Sequence, residues 1–212
     1  MSDILVSVFC ATYNHELYIG KAIEGFLMQK TNFAFEVLIF EDKSTDGTAK
    51  VIESYERDYP DFLRVIYHSE NLFSQKIDFF QTEFLKIFRG KYIAFCEGDD
   101  YWIDPYKLQK QLDFLESNQT YSFCFHDALI LNQNTGIEYL RVGQRKIDEI
   151  VDLNSVIVEN NIPTASLVFR TCINWANLPN WLMPLSTSLF LVSGPASKAK
   201  MCFMSPSAAS FV

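Results

Sequence analysis

The strongest constraint on the fold is an alternation of short, almost unbroken apolar runs with segments of helical spacing. Residues 4–10 read ILVSVFC, 35–40 FEVLIF, 62–67 FLRVIY and 92–96 YIAFC. Runs like these, with few polar interruptions, are strands covered on both faces, as in parallel sheets. Between them Ile19, Ala22, Ile23, Phe26 and Leu27 recur at three and four. Val51, Ile52, Tyr55 and Tyr59 do the same, as do Ile77, Phe80, Phe84 and Ile87. Each connection is therefore expected to be an amphipathic helix. Leu108, Leu112 and Leu115 stripe a fourth, with Pro105 in its first turn. Repeated strand–helix alternation predicts an α/β fold, a Rossmann-like and mostly parallel sheet flanked by helices.

In such sheets the ligand lies beyond the carboxyl ends of the strands. Those ends carry Thr12, Tyr13 and Asn14, then Glu41 and Asp42, then Glu97, Gly98, Asp99 and Asp100. Polar clusters at successive strand ends are the main evidence for a site. Carboxylates as close as Glu97, Asp99 and Asp100 repel one another and call for a cation. Oxygen ligands suit a hard ion such as Mg²⁺ or Mn²⁺, and Gly98 lets backbone approach a ligand closely. The plainer alternative is a solvated acidic turn capping the helix near Pro105. Asp42, at a strand terminus, is placed to accept from a base N–H or a ribose hydroxyl. Tyr13 offers a stacking face, against the alternative of a core tyrosine. Ser44, Thr45 and Asp46 read first as caps for the following helix.

The second half is less regular. Residues 121–131 form an apolar strand holding His126 and Asp127, and 132–136 resemble a hairpin turn into 137–142. A lone His in such a strand is expected to be a satisfied core residue. Residues 162–169 read as a strand and 173–182 as a helix. From Pro184 to Val212 there is no Asp or Glu and no clear period. That stretch is expected to be a disordered or out-of-frame tail, with the domain proper spanning residues 1–183.

Net charge is −8 with no dense Lys/Arg stripe, which argues against a nucleic-acid partner. Five scattered cysteines without a Cys-x-x-Cys pair give neither a disulfide framework nor a zinc site. The first residues lack a basic leader, and no apolar run reaches the length of a membrane span. The cytosol is the default expectation, with peripheral membrane association still compatible. Neither Gly-x-Gly-x-x-Gly nor a P-loop is present.

Three segments in order now carry a resemblance: Ala11-Thr12-Tyr13-Asn14, Glu41-Asp42-x-Ser44-x-Asp46-Gly47-Thr48, and the run from Tyr92 through Glu97-Gly98-Asp99-Asp100 to Tyr101-Trp102. Together they resemble glycosyltransferase family 2 over roughly residues 4–183. The resemblance implies a GT-A fold with a nucleotide-sugar-binding half over about 1–130 and an acceptor-side part over about 131–183, the second half incomplete. It also implies an NDP-sugar donor (UDP-sugar foremost), a glycan or lipid-linked acceptor, Mn²⁺ or Mg²⁺, and inversion at the anomeric carbon. Carried over by position, Thr12 and Tyr13 line the base pocket and Asp42 contacts the base. Glu97 stands near the ribose, where the family usually has Asp. Asp99, at the family's metal-binding position, and Asp100, which follows it, hold the metal. Pro163, Thr164, Ala165 and Ser166 fall on the acceptor side.

The family's catalytic carboxylate follows a segment like residues 178–182 (LPNWL). This chain has no Asp or Glu past Glu159. General-base assistance is worth about 10²–10⁴ in rate, or roughly 3–5 kcal/mol. Asp127, Asp148, Glu149, Asp152, Glu159, His15 and His126 are substitutes that no spacing argument ranks. The alternative reading is therefore a truncated or inactive relative that binds donor without transferring sugar.

Overall fold

The computed structural model describes residues 3–72, 74, 87–132, 135–140, 150–151, 163–171 and 200–211. In chain order these form β1 (Ile4–Thr12), α1 (Ile19–Leu27), β2 (Ala34–Glu41), α2 (Thr48–Asp58), β3 (Leu63–Tyr67), β4 (Tyr92–Phe95) and β5 (Asp100–Trp102). There follow α3 (Lys107–Ser117), β6 (Tyr121–Asn132), β7 (Ile137–Leu140), β8 (Ile150–Val151), β9 (Val168–Arg170) and β10 (Lys200–Phe211). Among the described residues one sheet runs β3-β2-β1-β4-β9-β6-β10-β5, with β7 on β6 and β8 on β10. β3, β2, β1 and β4 are mutually parallel. β9 is antiparallel to both of its neighbours, β4 and β6.

The runs in β1, β2 and β4 have the two covered faces expected of them, whereas β3, at the sheet edge, is buried only at Leu63 and exposed at Tyr67. From one face of β1, Val6, Val8 and Cys10 join Ile19, Ala22, Ile23 and Phe26 of α1 in the main core. From the other, the Phe9 ring meets Phe40 at 4.9 Å and Phe95 at 5.1 Å, and Phe95 stacks on Phe169 at 5.4 Å. Complete burial of such side chains contributes about 1.5–3 kcal/mol each. Parallel pairing of β3, β2, β1 and β4 then puts their carboxyl ends on one edge.

Several expectations need correction. Residues 163–166 are not the start of a strand: Pro163 leads a 3₁₀ turn over Thr164–Ser166 before β9. The Ser166 hydroxyl and N–H both donate to the Pro163 carbonyl, at 2.6 and 2.9 Å, a local alternative to ladder pairing that Ser favours. Pro105 precedes α3 rather than sitting in its first turn. The Asp104 side chain accepts from the Tyr106 N–H at 2.8 Å, and the helix starts at Lys107. Residues 200–211 form β10, not a disordered tail; its register shifts between Met204 and Ala209, around Pro206. The hairpin turn is present, with Gly136 at φ +66°. The helices expected around residues 77–84 and 173–182, and residues 184–199, lie outside the described residues.

Candidate functional site

Parallel register brings the strand ends together. Thr12 pairs with Glu41 and Glu41 with Tyr67. Beyond β4 the ladder continues, with the Cys96 N–H donating to the Phe9 carbonyl at 3.1 Å and the Gly98 N–H to the Ala11 carbonyl at 2.9 Å. Gly98 therefore lies against Thr12. A Cβ there would fall 2.5 Å from Thr12 Oγ1 and 2.9 Å from His15 Nδ1, so the close approach requires glycine. The acidic turn closes with the Asp100 N–H donating to the Glu97 carbonyl at 3.1 Å. Asp99 is left about half exposed (side chain 45%), whereas Asp100 opens β5 and is buried. The turn is anchored from behind by Trp102. Its Nε1 donates to the Ala165 carbonyl at 2.9 Å, and its ring meets Phe26 edge-on at 4.9 Å.

The loops after β1 and β2 are bonded into one unit. The Asn14 N–H donates to Ser44 Oγ at 3.0 Å, and the Thr45 N–H donates back to Asn14 Oδ1 at 2.8 Å. Both crossings depend on left-handed backbone, at Asn14 (φ 57°) and Lys43 (φ 63°). Asp46 Oδ1 takes the N–H (2.9 Å) and hydroxyl (2.5 Å) of Thr48, and Oδ2 takes the Glu16 N–H at 3.2 Å. Desolvation pushes the Asp46 carboxyl up, but the Thr48 and Glu16 hydrogen bonds outweigh it and hold the group below the ordinary carboxylate range. The expected capping role for Asp46 is thus present, although the boundary residue of α2 is Gly47.

Asp42 is fixed from two sides. Its N–H donates to the Thr12 carbonyl at 3.0 Å. Its Oδ1 accepts the Leu72 N–H at 2.8 Å and lies 3.2 Å from His68 Nδ1. Asn71 Nδ2 donates to the Asp42 carbonyl at 3.0 Å. Sequence reasoning left Asn71 and His68 unassigned; the structure places both against Asp42. The only signal was an Asn shortly after the third strand. Tyr13 is 41% exposed, which fits a stacking face and rules out the core-tyrosine alternative.

The electrostatics match the cluster. Burial pushes the Cys10 and Cys96 thiols well up, and the carboxylates of Glu97 and Asp100 near both, with Asp99 near Cys10, push them further. Three carboxylates are thus close enough to the ends of β1 and β4 to act on the thiols there. Behind the strand edge Lys107 is completely buried, its ammonium bonded to Gln111 Oε1 at 2.7 Å and 4.1 Å from the Trp102 ring centre. Burial lowers its pKa to about 7. His126 is also buried, its pKa lowered to about 3 first by burial and then by Lys107. Nδ1 meets the Asp127 carbonyl at 2.6 Å, while Nε2 has no partner among the described residues. The expectation of a satisfied core histidine holds only at one nitrogen.

Thr12, Asp42, Glu97 and Asp99 all lie at this edge, with Tyr13 beside them. Among the described residues no group of three or more His, Cys, Asp or Glu side chains forms a ready-made metal site. Mg²⁺-like ions need none, since one or two carboxylates plus substrate phosphates and water suffice. The exposed Asp99 carboxylate fits that mode; the buried Asp100 is less open to it. Of the substitute bases, Asp127 and His126 are buried, and Asp148, Glu149, Asp152 and Glu159 lie outside the described residues.

A parallel β3-β2-β1-β4 sheet with an acidic turn after β4 defines the GT-A class of α/β proteins. S. aureus TarS (crystal structure of residues 1–349) shares this fold, with a TM-score of 0.70 and 22% identity over 99% of this chain and 60% of that one. The chain belongs to glycosyl transferase family 2, whose family model matches residues 7–140. An uncharacterized protein of Mycobacterium tuberculosis is 35% identical over 182 residues, covering 85% of this chain and 51% of that protein. WfgD of Escherichia coli, a UDP-Glc:alpha-D-GlcNAc-diphosphoundecaprenol beta-1,3-glucosyltransferase, is 29% identical over 181 residues, covering 84% of this chain and 66% of that protein. The chain spans about half the length of the first of these relatives.

Proposed function

We propose that this chain supplies the donor-binding half of a metal-dependent, inverting glycosyltransferase. It would move a sugar from an NDP-sugar, UDP-linked, to a glycan or lipid-linked acceptor. The observation that carries this reading is the meeting of Thr12, Asp42 and Asp99 on one edge, with Gly98 pressed against Thr12. TarS has been solved with UDP and with UDP-GlcNAc, and WfgD is named for a UDP-Glc donor and a diphosphoundecaprenol acceptor. Both support a uridine donor.

In this reading Tyr13 stacks on the base. Asp42, held by Leu72, His68 and Asn71, accepts a base or ribose hydrogen. Thr12 lines the pocket and Glu97 faces the ribose. Asp99 holds Mn²⁺ or Mg²⁺ together with the donor diphosphate. The ion would neutralise charge on the departing nucleoside diphosphate. No described helix is long and apolar enough to cross a membrane.

Calorimetric titration of UDP with and without Mn²⁺ tests the reading. Wild type should bind more tightly with the ion, and Asp99→Ala should abolish that gain. An unchanged titration in the mutant refutes the assignment.

A second reading has its own observation, the lack of any Asp or Glu past Glu159: donor binding without transfer. Mn²⁺-dependent UDP binding with no transfer across an acceptor panel would favour it. Measurable turnover would reject it.

A further inference from the structure

His15 is held more firmly than its loop position requires. Its N–H donates to Thr48 Oγ1 at 2.8 Å, and its carbonyl accepts the Tyr18 and Ile19 N–H groups at 2.9 Å each. Thr48 is in turn bonded to Asp46, so the backbone of His15 is tied to both loops. The ring is fixed separately: Nδ1 lies 3.2 Å from Thr12 Oγ1, in the space that the missing Gly98 side chain leaves open. Its far nitrogen, Nε2, faces Asp99 Oδ2 at 3.8 Å.

These contacts suit one tautomer. With the Thr12 hydroxyl donating to Nδ1, the proton sits on Nε2 and points at a carboxylate oxygen. The opposite tautomer would set a lone pair against that oxygen. At 3.8 Å the contact is too long for a hydrogen bond, as pre-catalytic contacts often are before ligand tightens them.

We propose that His15 is a positioning residue for Asp99, its Nε2–H fixing the carboxylate so that the other oxygen meets the metal and the donor diphosphate. The inference rests on the donor-binding reading above. It makes Thr12 an orienter of His15 as well as a pocket wall, in a chain Thr12–His15–Asp99 that crosses from the end of β1 to the acidic turn.

The test measures UDP affinity with and without Mn²⁺ in wild type, His15→Ala and His15→Gln, with a thermal melt of each. His15→Ala should lose about 10–100-fold of the Mn²⁺-dependent affinity, the usual effect of removing a partner of a metal ligand. Its metal-free UDP affinity and its melt should stay at the wild-type level, a pattern that loss of a merely structural contact does not give. His15→Gln, whose amide can donate from near the Nε2 position, should recover most of the loss. Wild-type behaviour in His15→Ala overturns the inference alone. So does a His15→Gln variant as weak as His15→Ala that also loses discrimination between Mn²⁺ and Mg²⁺, because the imidazole would then be a ligand itself. A wild type without Mn²⁺-dependent affinity for UDP, GDP or dTDP overturns the donor-binding reading, and this inference with it.

Discussion

Two glycines in one helix should respond to alanine with opposite sign. Gly20 and Gly25 both lie in α1, where Gly→Ala alone gains about 0.5–1 kcal/mol by helping the helical backbone. At Gly20 the new methyl would sit 3.6 Å from the Tyr55 hydroxyl oxygen and 3.9 Å from Val51 Cγ1, ordinary contact distances that leave the gain intact. At Gly25 it would meet the backbone N and O of Trp102 at 2.9 Å each. Those atoms belong to β5 and cannot swing aside as a side chain would. Overpacking of this kind costs about 1–3 kcal/mol. Because the helix term is common to both, the difference between the variants isolates the clash: Gly25→Ala should be about 1–3 kcal/mol less stable than Gly20→Ala. Urea unfolding followed by tryptophan fluorescence measures it, with Trp102 at the perturbed contact. A chain of this size should show about 2–4 °C in Tm per kcal/mol. Since β5 continues directly from the acidic turn, Gly25→Ala should also weaken Mn²⁺-dependent UDP binding, and Gly20→Ala should not. Equal midpoints for the two variants would refute the claim that α1 is packed backbone-to-backbone on β5.

Burial lowers the Lys107 pKa from 10.5 to about 7, so between those values the unfolded chain binds the extra proton. Stability should therefore rise with pH through that window, by up to about 1.4 kcal/mol per unit, and level off below it. Lys107→Met should flatten that slope; parallel urea-midpoint curves for the two proteins would contradict it. Asn71→Ala removes the donor to the Asp42 carbonyl, a bond worth about 0.5–1.5 kcal/mol. UDP affinity should then fall by up to about tenfold equally with and without Mn²⁺, and a loss confined to the Mn²⁺ titration would place Asn71 elsewhere in the site.

The parallel half of the fold was readable because its physics is local. ILVSVFC and FEVLIF are apolar without alternation, and a strand covered on both faces needs that pattern. Once β1, β2 and β4 are parallel, Thr12, Asp42 and the acidic turn must share an edge, so their meeting was legible too. What joins them was not. The contacts of Asn14 with Ser44 and Thr45 depend on two left-handed residues, Asn14 and Lys43, and only one of these is of a type that favours that conformation. The grip of Asn71 on Asp42 and of Thr12 on His15 follows from those loop paths. Lys107 and Gln111 look in sequence like a solvated i,i+4 pair. They are buried instead, because Trp102 from β5 covers the lysine and the Thr164–Ser166 turn takes up the Gln111 amide. The 3₁₀ turn was itself misread as strand, since Ala165 and Leu167 are apolar while the deciding bond is from Ser166 to Pro163.

In the proposed reading the groups that would hold the donor lie before residue 130, and the resemblance puts the carboxylate that would drive transfer on the acceptor side. Tyr13, Asp42, Asp99 and the proposed His15 contact all sit on loops after β1, β2 and β4, with Asn71 bracing Asp42. Their task in that reading is to hold the nucleotide and the ion. General-base assistance is worth about 10²–10⁴ in rate, whereas donor affinity depends on contacts made before any proton moves. A change at Asn71 should therefore appear in binding of the nucleotide, and a change at His15 or Asp99 in its coupling to the ion. Introducing a carboxylate on the acceptor side should alter turnover while leaving both titrations where they were. Such independence would separate the two halves of the reaction, and an acceptor-side carboxylate that also shifted the Mn²⁺–UDP titration would show that they are built as one.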